Sequence, residues 1–125
     1  MEETKLIYTH KCNNGYEVKC EISESSFFGF LNGYVYIEKN SIFYTDYEYL
    51  RVYRGITYTD YVGDCLVVGF DTVGNIHITK DNDIVPVELK SKDFVKNELA
   101  KICEQLSTDK KAVRLQKLRS VKNEQ

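Results

Sequence analysis

Tyr16, Val18, Cys20 and Ile22 alternate with charged residues, the period of a strand with one buried face. Leu6-Ile7-Tyr8 precedes them and Asn13-Asn14-Gly15 lies between. The pattern predicts a hairpin over residues 5–25, with Asn-Gly supplying the positive φ of a tight turn. The same dipeptide at Asn32-Gly33, between Phe27-Phe28-Gly29-Phe30-Leu31 and Tyr34-Val35-Tyr36-Ile37-Glu38, predicts a second hairpin and hence a meander. Further strands are expected at Tyr49 to Tyr53, Ile56 to Tyr61 and Cys65 to Phe70, separated by Arg54-Gly55 and Gly63-Asp64. The last of them is apolar throughout, as in a strand covered on both faces. Short extended pieces follow at Ile76-His77-Ile78 and at Ile84 to Leu89, where Pro86 suggests an edge.

The period changes at Ser91. Phe94, Val95, Leu99, Ile102, Cys103 and Leu106 recur at three- and four-residue intervals, predicting a helix over about 92–107 capped by Ser91 or Asp93. Ser107-Thr108-Asp109 reads as a break and a new cap, and Ala112, Val113, Leu115, Leu118 and Val121 mark a second helix. The expected fold is α+β: an N-terminal antiparallel β-meander sheet over about 1–90 followed by two C-terminal helices over about 91–125, in a single domain of residues 1–125. The narrow stripe Ala112, Leu115, Leu118 and Val121 is more than a short sheet covers, which predicts a homo-oligomer, a dimer or higher.

Composition adds to this picture mainly through its distribution. Ten Tyr, six Phe and a single Pro in 125 residues suit a folded, strand-rich chain and not a disordered one. The formal net charge is −2, yet Lys110, Lys111, Arg114, Lys117, Arg119 and Lys122 face only Asp109 and Glu124 in the last 17 residues, leaving that tail at +4 and the rest at −6. Such a tail is either a solvated basic helix or a surface that meets an anion. The absence of an eighteen-residue apolar run, together with an acidic N-terminus, predicts a soluble chain with no membrane partner, located in the cytoplasm. Cys12, Cys20, Cys65 and Cys103 show no CxxC spacing and only His10 and His77 could join them, so neither metal nor cofactor is expected and the thiols are read as reduced.

No Walker or dinucleotide Gly loop, no GxSxG and no HExxH is present, and isolated acids such as Asp60, Asp64 and Asp71 suit turns better than catalysis. The chain is therefore read as a binding protein and not an enzyme. Aromatic faces stack on bases while Arg and Lys meet phosphates, so the combination suggests a nucleotide. Taken singly, Tyr16, Phe27, Phe28, Tyr34 and Tyr36 suit strand packing equally well. On the second helix Arg114 and Lys117 share a face, whereas Arg114 and Arg119 lie roughly 140° apart. One ligand could meet both arginines only along the helix flank or with one arginine from a partner chain.

Asn32-Gly33-Tyr34-Val35-Tyr36-Ile37, Arg54-Gly55-Ile56-Thr57-Tyr58, Gly69-Phe70-Asp71, Asn97-Glu98-Leu99-Ala100 and Glu104-Gln105-Leu106 resemble, in order and spacing over about residues 30–107, a family of small bacteriophage proteins. With the basic helix appended, the chain looks most similar to the Thoeris anti-defence sponges of the first type, which sequester a glycosylated cyclic ADP-ribose immune signal. The resemblance implies an antiparallel sheet with two C-terminal helices, an oligomer with ligand pockets shared between protomers, action in the cytoplasm of an infected bacterium, and cyclic oligonucleotides as a second ligand class at other oligomer interfaces. Its stacking aromatics map to Tyr16, Phe27 and Phe28, its polar residue on the first helix to Asn97, and its arginines to Arg114 and Arg119. The chain departs from the pattern at Tyr53-Arg54-Gly55, where relatives carry His-Gly-Gly, and at Thr72-Val73-Gly74, where they carry a His. The alternatives are an inhibitor that blocks a host defence factor through the sheet surface, and a nucleic-acid binder using the basic helix.

Overall fold

The computed structural model describes residues 5–26, 28–74, 76–86 and 88–123. The first hairpin pairs β1 (Lys5–Lys11) with β2 (Glu17–Glu24) in antiparallel register, Tyr8 opposite Cys20 and His10 opposite Val18. Its turn closes through Cys12 and Tyr16, with Gly15 at φ 90°. β3 (Leu31–Glu38) continues the sheet, followed by a long connection, β4 (Tyr58–Val62) and β5 (Cys65–Asp71). The strand order is β1-β2-β3-β5-β4, so the second hairpin docks with β5 inside and β4 at the edge. A small separate ribbon pairs β6 (Ile76–Ile78) with β7 (Ile84–Pro86). The C-terminal part is α1 (Lys92–Leu106) and α2 (Lys110–Asn123). The α+β class, an antiparallel N-terminal sheet followed by two helices, is as the sequence predicts.

Two local expectations are corrected. Asn32-Gly33 is not a turn: both residues lie inside β3, opposite Asp71 and Phe70 of β5. The turn is earlier, closed by the Ser25 N–H donating to the Phe30 carbonyl at 2.7 Å, with Phe28 and Gly29 at φ 54° and 73°. Gly33 serves packing instead, because a β-carbon there would approach Phe70, Val95 and Leu99 at 2.8–3.1 Å. Its absence lets α1 lie close on the sheet.

The second correction is the segment 47–57, where the sequence predicts a strand at Tyr49 to Tyr53 and the start of the next at Ile56. It holds a single-turn 3-10 helix at Tyr47–Tyr49 and then runs irregularly to β4. Its backbone groups find partners on helix side chains: the Glu98 carboxylate accepts the Tyr53 N–H at 3.0 Å, and the Gln105 amide both accepts from the Arg51 N–H and donates to the Arg51 carbonyl, each at 2.7 Å. A side-chain amide thus replaces a strand edge, and no ladder is needed to satisfy these groups.

The core lies between the sheet and α1. Val18, Cys20, Ile22, Val35, Ile37, Leu66, Val68 and Phe70 meet Val95, Leu99, Ile102, Cys103 and Leu106. The Ser91 hydroxyl caps α1 by accepting the Phe94 N–H at 3.1 Å, and each fully buried aliphatic side chain contributes about 1.5–3 kcal/mol. In β5 the residues facing away from α1, Val67 and Gly69, are buried as well, as its unbroken apolar run implies. Among the described residues no helix is long and apolar enough to cross a membrane.

Candidate functional site

Asp109 sets the position of α2. One of its carboxylate oxygens accepts the Lys111 and Ala112 N–H groups at 3.2 and 3.3 Å, and the other accepts the Ile42 N–H at 2.8 Å. It caps the helix and ties it to the connection after β3. Ala112 and Val113 are buried against the body. One turn further on, the Gln116 amide accepts from the Glu17 N–H at 2.7 Å and donates to its carbonyl at 2.9 Å.

That anchoring leaves another face of α2 outward. Lys110, Val113, Arg114, Lys117, Leu118 and Val121 line a groove of about 370 Å³ whose far wall is Asn14 and Ser107. Residues three and four apart fall on one side of a helix, which is why Lys110, Arg114 and Lys117 converge. Asn14 is held as a wall by its amide, which donates to the Ser107 carbonyl at 3.1 Å and accepts the Tyr16 N–H at 3.1 Å. Among the described residues none of the three cations has a carboxylate partner. Leu118 and Val121 are half exposed and give the groove an apolar floor. The arrangement suits a ligand with an anionic and an apolar part.

The anticipated residues separate clearly. Arg114 and Lys117 come together in the groove. Arg119 lies round the helix, as the angle between the arginines requires; it pairs with Glu38 at 2.6 Å and lines a different hollow with Lys39, Asn40 and Asp64. Tyr16 is a core residue, 4% exposed. Its hydroxyl is held above the ordinary phenol value by burial, with the Glu38 and Asp109 carboxylates adding to the effect. No face of this ring is open to a base. Phe28 is exposed at the β2–β3 turn, the opposite end of an eight-residue strand from the groove, roughly 25 Å away at strand rise. Asn97 is exposed on α1, ten residues before Ser107, or roughly 15 Å along the helix. Phe27 lies outside the described residues. Lys110, Val113, Leu118, Val121, Asn14 and Ser107 are not among the expected site residues; Lys110, four residues before Arg114, and Leu118 and Val121, in the uncovered apolar stripe, carry a legible signal.

Two further clusters stand out. On the sheet face away from α1, Tyr34 opposes Gly69, which opposes Tyr58, and the two rings meet edge to face at 5.3 Å. A β-carbon at Gly69 would collide with the Tyr34 ring. Beside them Lys19 sits over the Tyr36 ring at 4.4 Å from its centroid. The second cluster joins β1 to α1. His10 Nε2 lies 3.3 Å from Glu104 Oε2, the Asn13 N–H donates to both Glu104 oxygens at 3.2 and 3.3 Å, and the Cys12 thiol donates to the Cys103 carbonyl at 3.3 Å. Behind it the sulfurs of Cys20 and Cys103 are 3.5 Å apart. Burial, with Glu104 adding, pushes the Cys12 thiol up to about 12. Against burial, which acts in the opposite sense, the Asn13 N–H and His10 hold the Glu104 carboxyl below its usual range. All four cysteines are free thiols.

Comparison with protein-family models, with curated proteins and with solved structures finds no match to this chain.

Proposed function

We propose that this chain is a non-catalytic sponge that holds a cyclic nucleotide immune signal, of the glycosylated cyclic ADP-ribose type, on the cationic groove of α2 and so keeps it from its effector during phage infection. The observation that carries the reading is the convergence of Lys110, Arg114 and Lys117, without carboxylate partners among the described residues, over a floor of Leu118 and Val121. Phosphates pair with the cations and the apolar floor takes a ribose or base edge. Among the described residues that line the groove there is no carboxylate, imidazole or thiol, the groups suited to acid–base hydrolysis near neutral pH. Capture without turnover is the chemistry such a lining supports.

A homo-oligomer belongs to the same proposal. The groove is open along Leu118 and Val121, and the β6–β7 ribbon exposes Ile76, Ile78, Ile84 and Val85, apolar surface of the kind that a second protomer covers. A partner helix seated along the groove would close it over the ligand. The sheet-surface alternative draws on the row of Tyr34, Tyr36 and Tyr58 on the sheet face away from α1. Binding of polynucleotides through α2 is set apart by salt, since neutralising many phosphates makes affinity fall steeply with ionic strength.

Incubation with glycosylated cyclic ADP-ribose, removal of free nucleotide and heat denaturation tests the reading by mass spectrometry. Release of the unchanged nucleotide is expected, and release of a hydrolysed product would make the protein an enzyme. Arg114→Ala is expected to weaken binding by about 1.5–3 kcal/mol, the worth of a hydrogen bond to a charged group, with melting temperature unchanged because the side chain is exposed. Undiminished affinity in the Arg114→Ala/Lys117→Ala double variant would remove the groove from the mechanism.

A further inference from the structure

We infer that His10, Cys12 and Glu104 form a binding site for one zinc ion at the junction of β1 and α1. The His10 and Cys12 side chains fall on one side of the extended chain because they are two residues apart, and Glu104 reaches them from the last turn of α1. Their ligand atoms, Nε2, Sγ and a carboxylate oxygen, all lie within 4.8 Å of one another, the nitrogen and oxygen at 3.3 Å. Two donors on a tetrahedral zinc ion, each at about 2.0–2.2 Å, stand roughly 3.4 Å apart, so the His10–Glu104 edge already has the required length. Only the sulfur has to close in.

The donor set selects the ion. One imidazole, one thiolate and one carboxylate suit borderline zinc; magnesium and calcium take oxygen alone. Three protein donors leave a fourth position for water, the arrangement of zinc sites with an exchangeable ligand. The surroundings support the donors: the Asn13 N–H fixes the Glu104 carboxylate through both oxygens, as outer partners of metal ligands do. Access is open, since the His10 and Glu104 side chains are 26% and 37% exposed while Cys12 closes the bottom of the site. On binding, the Cys12 S–H bond breaks, its proton leaves to solvent, and the sulfur's electron pair forms the bond to zinc. The site adjoins the nucleotide groove through the neighbouring Asn14, so a bound ion would stiffen the groove's wall. It does not depend on the groove's ligand.

The full chain, stripped with a chelator and kept reduced with a phosphine, is titrated with Co²⁺ and then Zn²⁺. A thiolate-to-cobalt charge-transfer band saturating at one Co²⁺ per chain, and bleached by one Zn²⁺, is expected. The band should persist in Cys65→Ser and vanish in Cys12→Ser. Glu104→Gln, whose amide oxygen can still accept the Asn13 N–H, should weaken Co²⁺ binding by more than the roughly 10–100-fold that loss of an outer partner costs. Absence of the band, its survival in Cys12→Ser through Cys20 or Cys103, or unchanged affinity in Glu104→Gln would each overturn the site. The readout contains no nucleotide, so this test and that of the sponge fail independently.

Discussion

A β-carbon at Gly33 would stand 2.8 Å from the Phe70 ring and 2.9 Å from a methyl of Val95, neighbours held in a packed core with no flexible end to swing away. Gly33→Ala is therefore expected to destabilise by about 1–3 kcal/mol, the cost of overpacking, measured as a lower midpoint in urea with an unchanged slope. The residue also explains a misreading. Asn-Gly at Asn14-Gly15 marks a turn, and the identical dipeptide at Asn32-Gly33 does not; what separates them is the helix lying on Gly33, a partner more than sixty positions away. Residue type was legible in the sequence, while its purpose was set by tertiary contact. The cluster of His10, Cys12 and Glu104 repeats the lesson: His10 and Cys12 share a face by strand period alone, but nothing local brings Glu104 to them.

Elements with their own period were the most legible. β1, β2, β5, α1 and the start of α2 follow from alternation, apolar run and cap. The 47–57 segment was not legible because Glu98 and Gln105 supply the hydrogen bonds a neighbouring strand would have supplied, and side chains on a distant helix leave no local trace. Two of the groove's three cations, by contrast, followed from helix geometry, which put Arg114 with Lys117 and turned Arg119 away. At this scale Asp109 is the test. It is buried and serves both the N-terminus of α2 and the Ile42 N–H. Asp109→Ala is expected to cost about 2 kcal/mol or more, an N-cap plus an orphaned donor, read by thermal unfolding. Asp109→Asn, which can still accept, should recover part of the loss.

For the molecule as a whole, most of the buried thiols and phenols are shifted upward. Burial raises Tyr8, Cys12 and Tyr16, and the hydrogen bond to Cys20 together with burial raises Cys103; Cys20 alone moves down, through its bond with Cys103. A group whose folded value lies above its unfolded one contributes stability that is complete below the unfolded value and disappears as pH rises through the folded one. The unfolded values are 9.0 for the thiols and 10.0 for the phenols. Stability should therefore hold at neutral pH and fall progressively above about pH 9. Denaturant midpoints across that range check it, and Cys12→Ala should flatten the first part of the decline.

The paired amides of Gln116 and Glu17 make α2 a latch whose position can be read without touching it. Beyond the buried Ala112 and Val113, much of α2 faces outward, so it is the element to swing away while sheet and α1 stay closed, an opening that costs less than global unfolding. When it swings, the Glu17 N–H loses its acceptor on α2, Gln116 Oε1, and becomes free to exchange its hydrogen with solvent. The exchange rate at Glu17 then counts the openings of α2. A ligand gripping Arg114 and Lys117 in the closed position slows that clock at a backbone amide outside the groove lining, and the slowing converts directly into the free energy with which the ligand holds the latch shut.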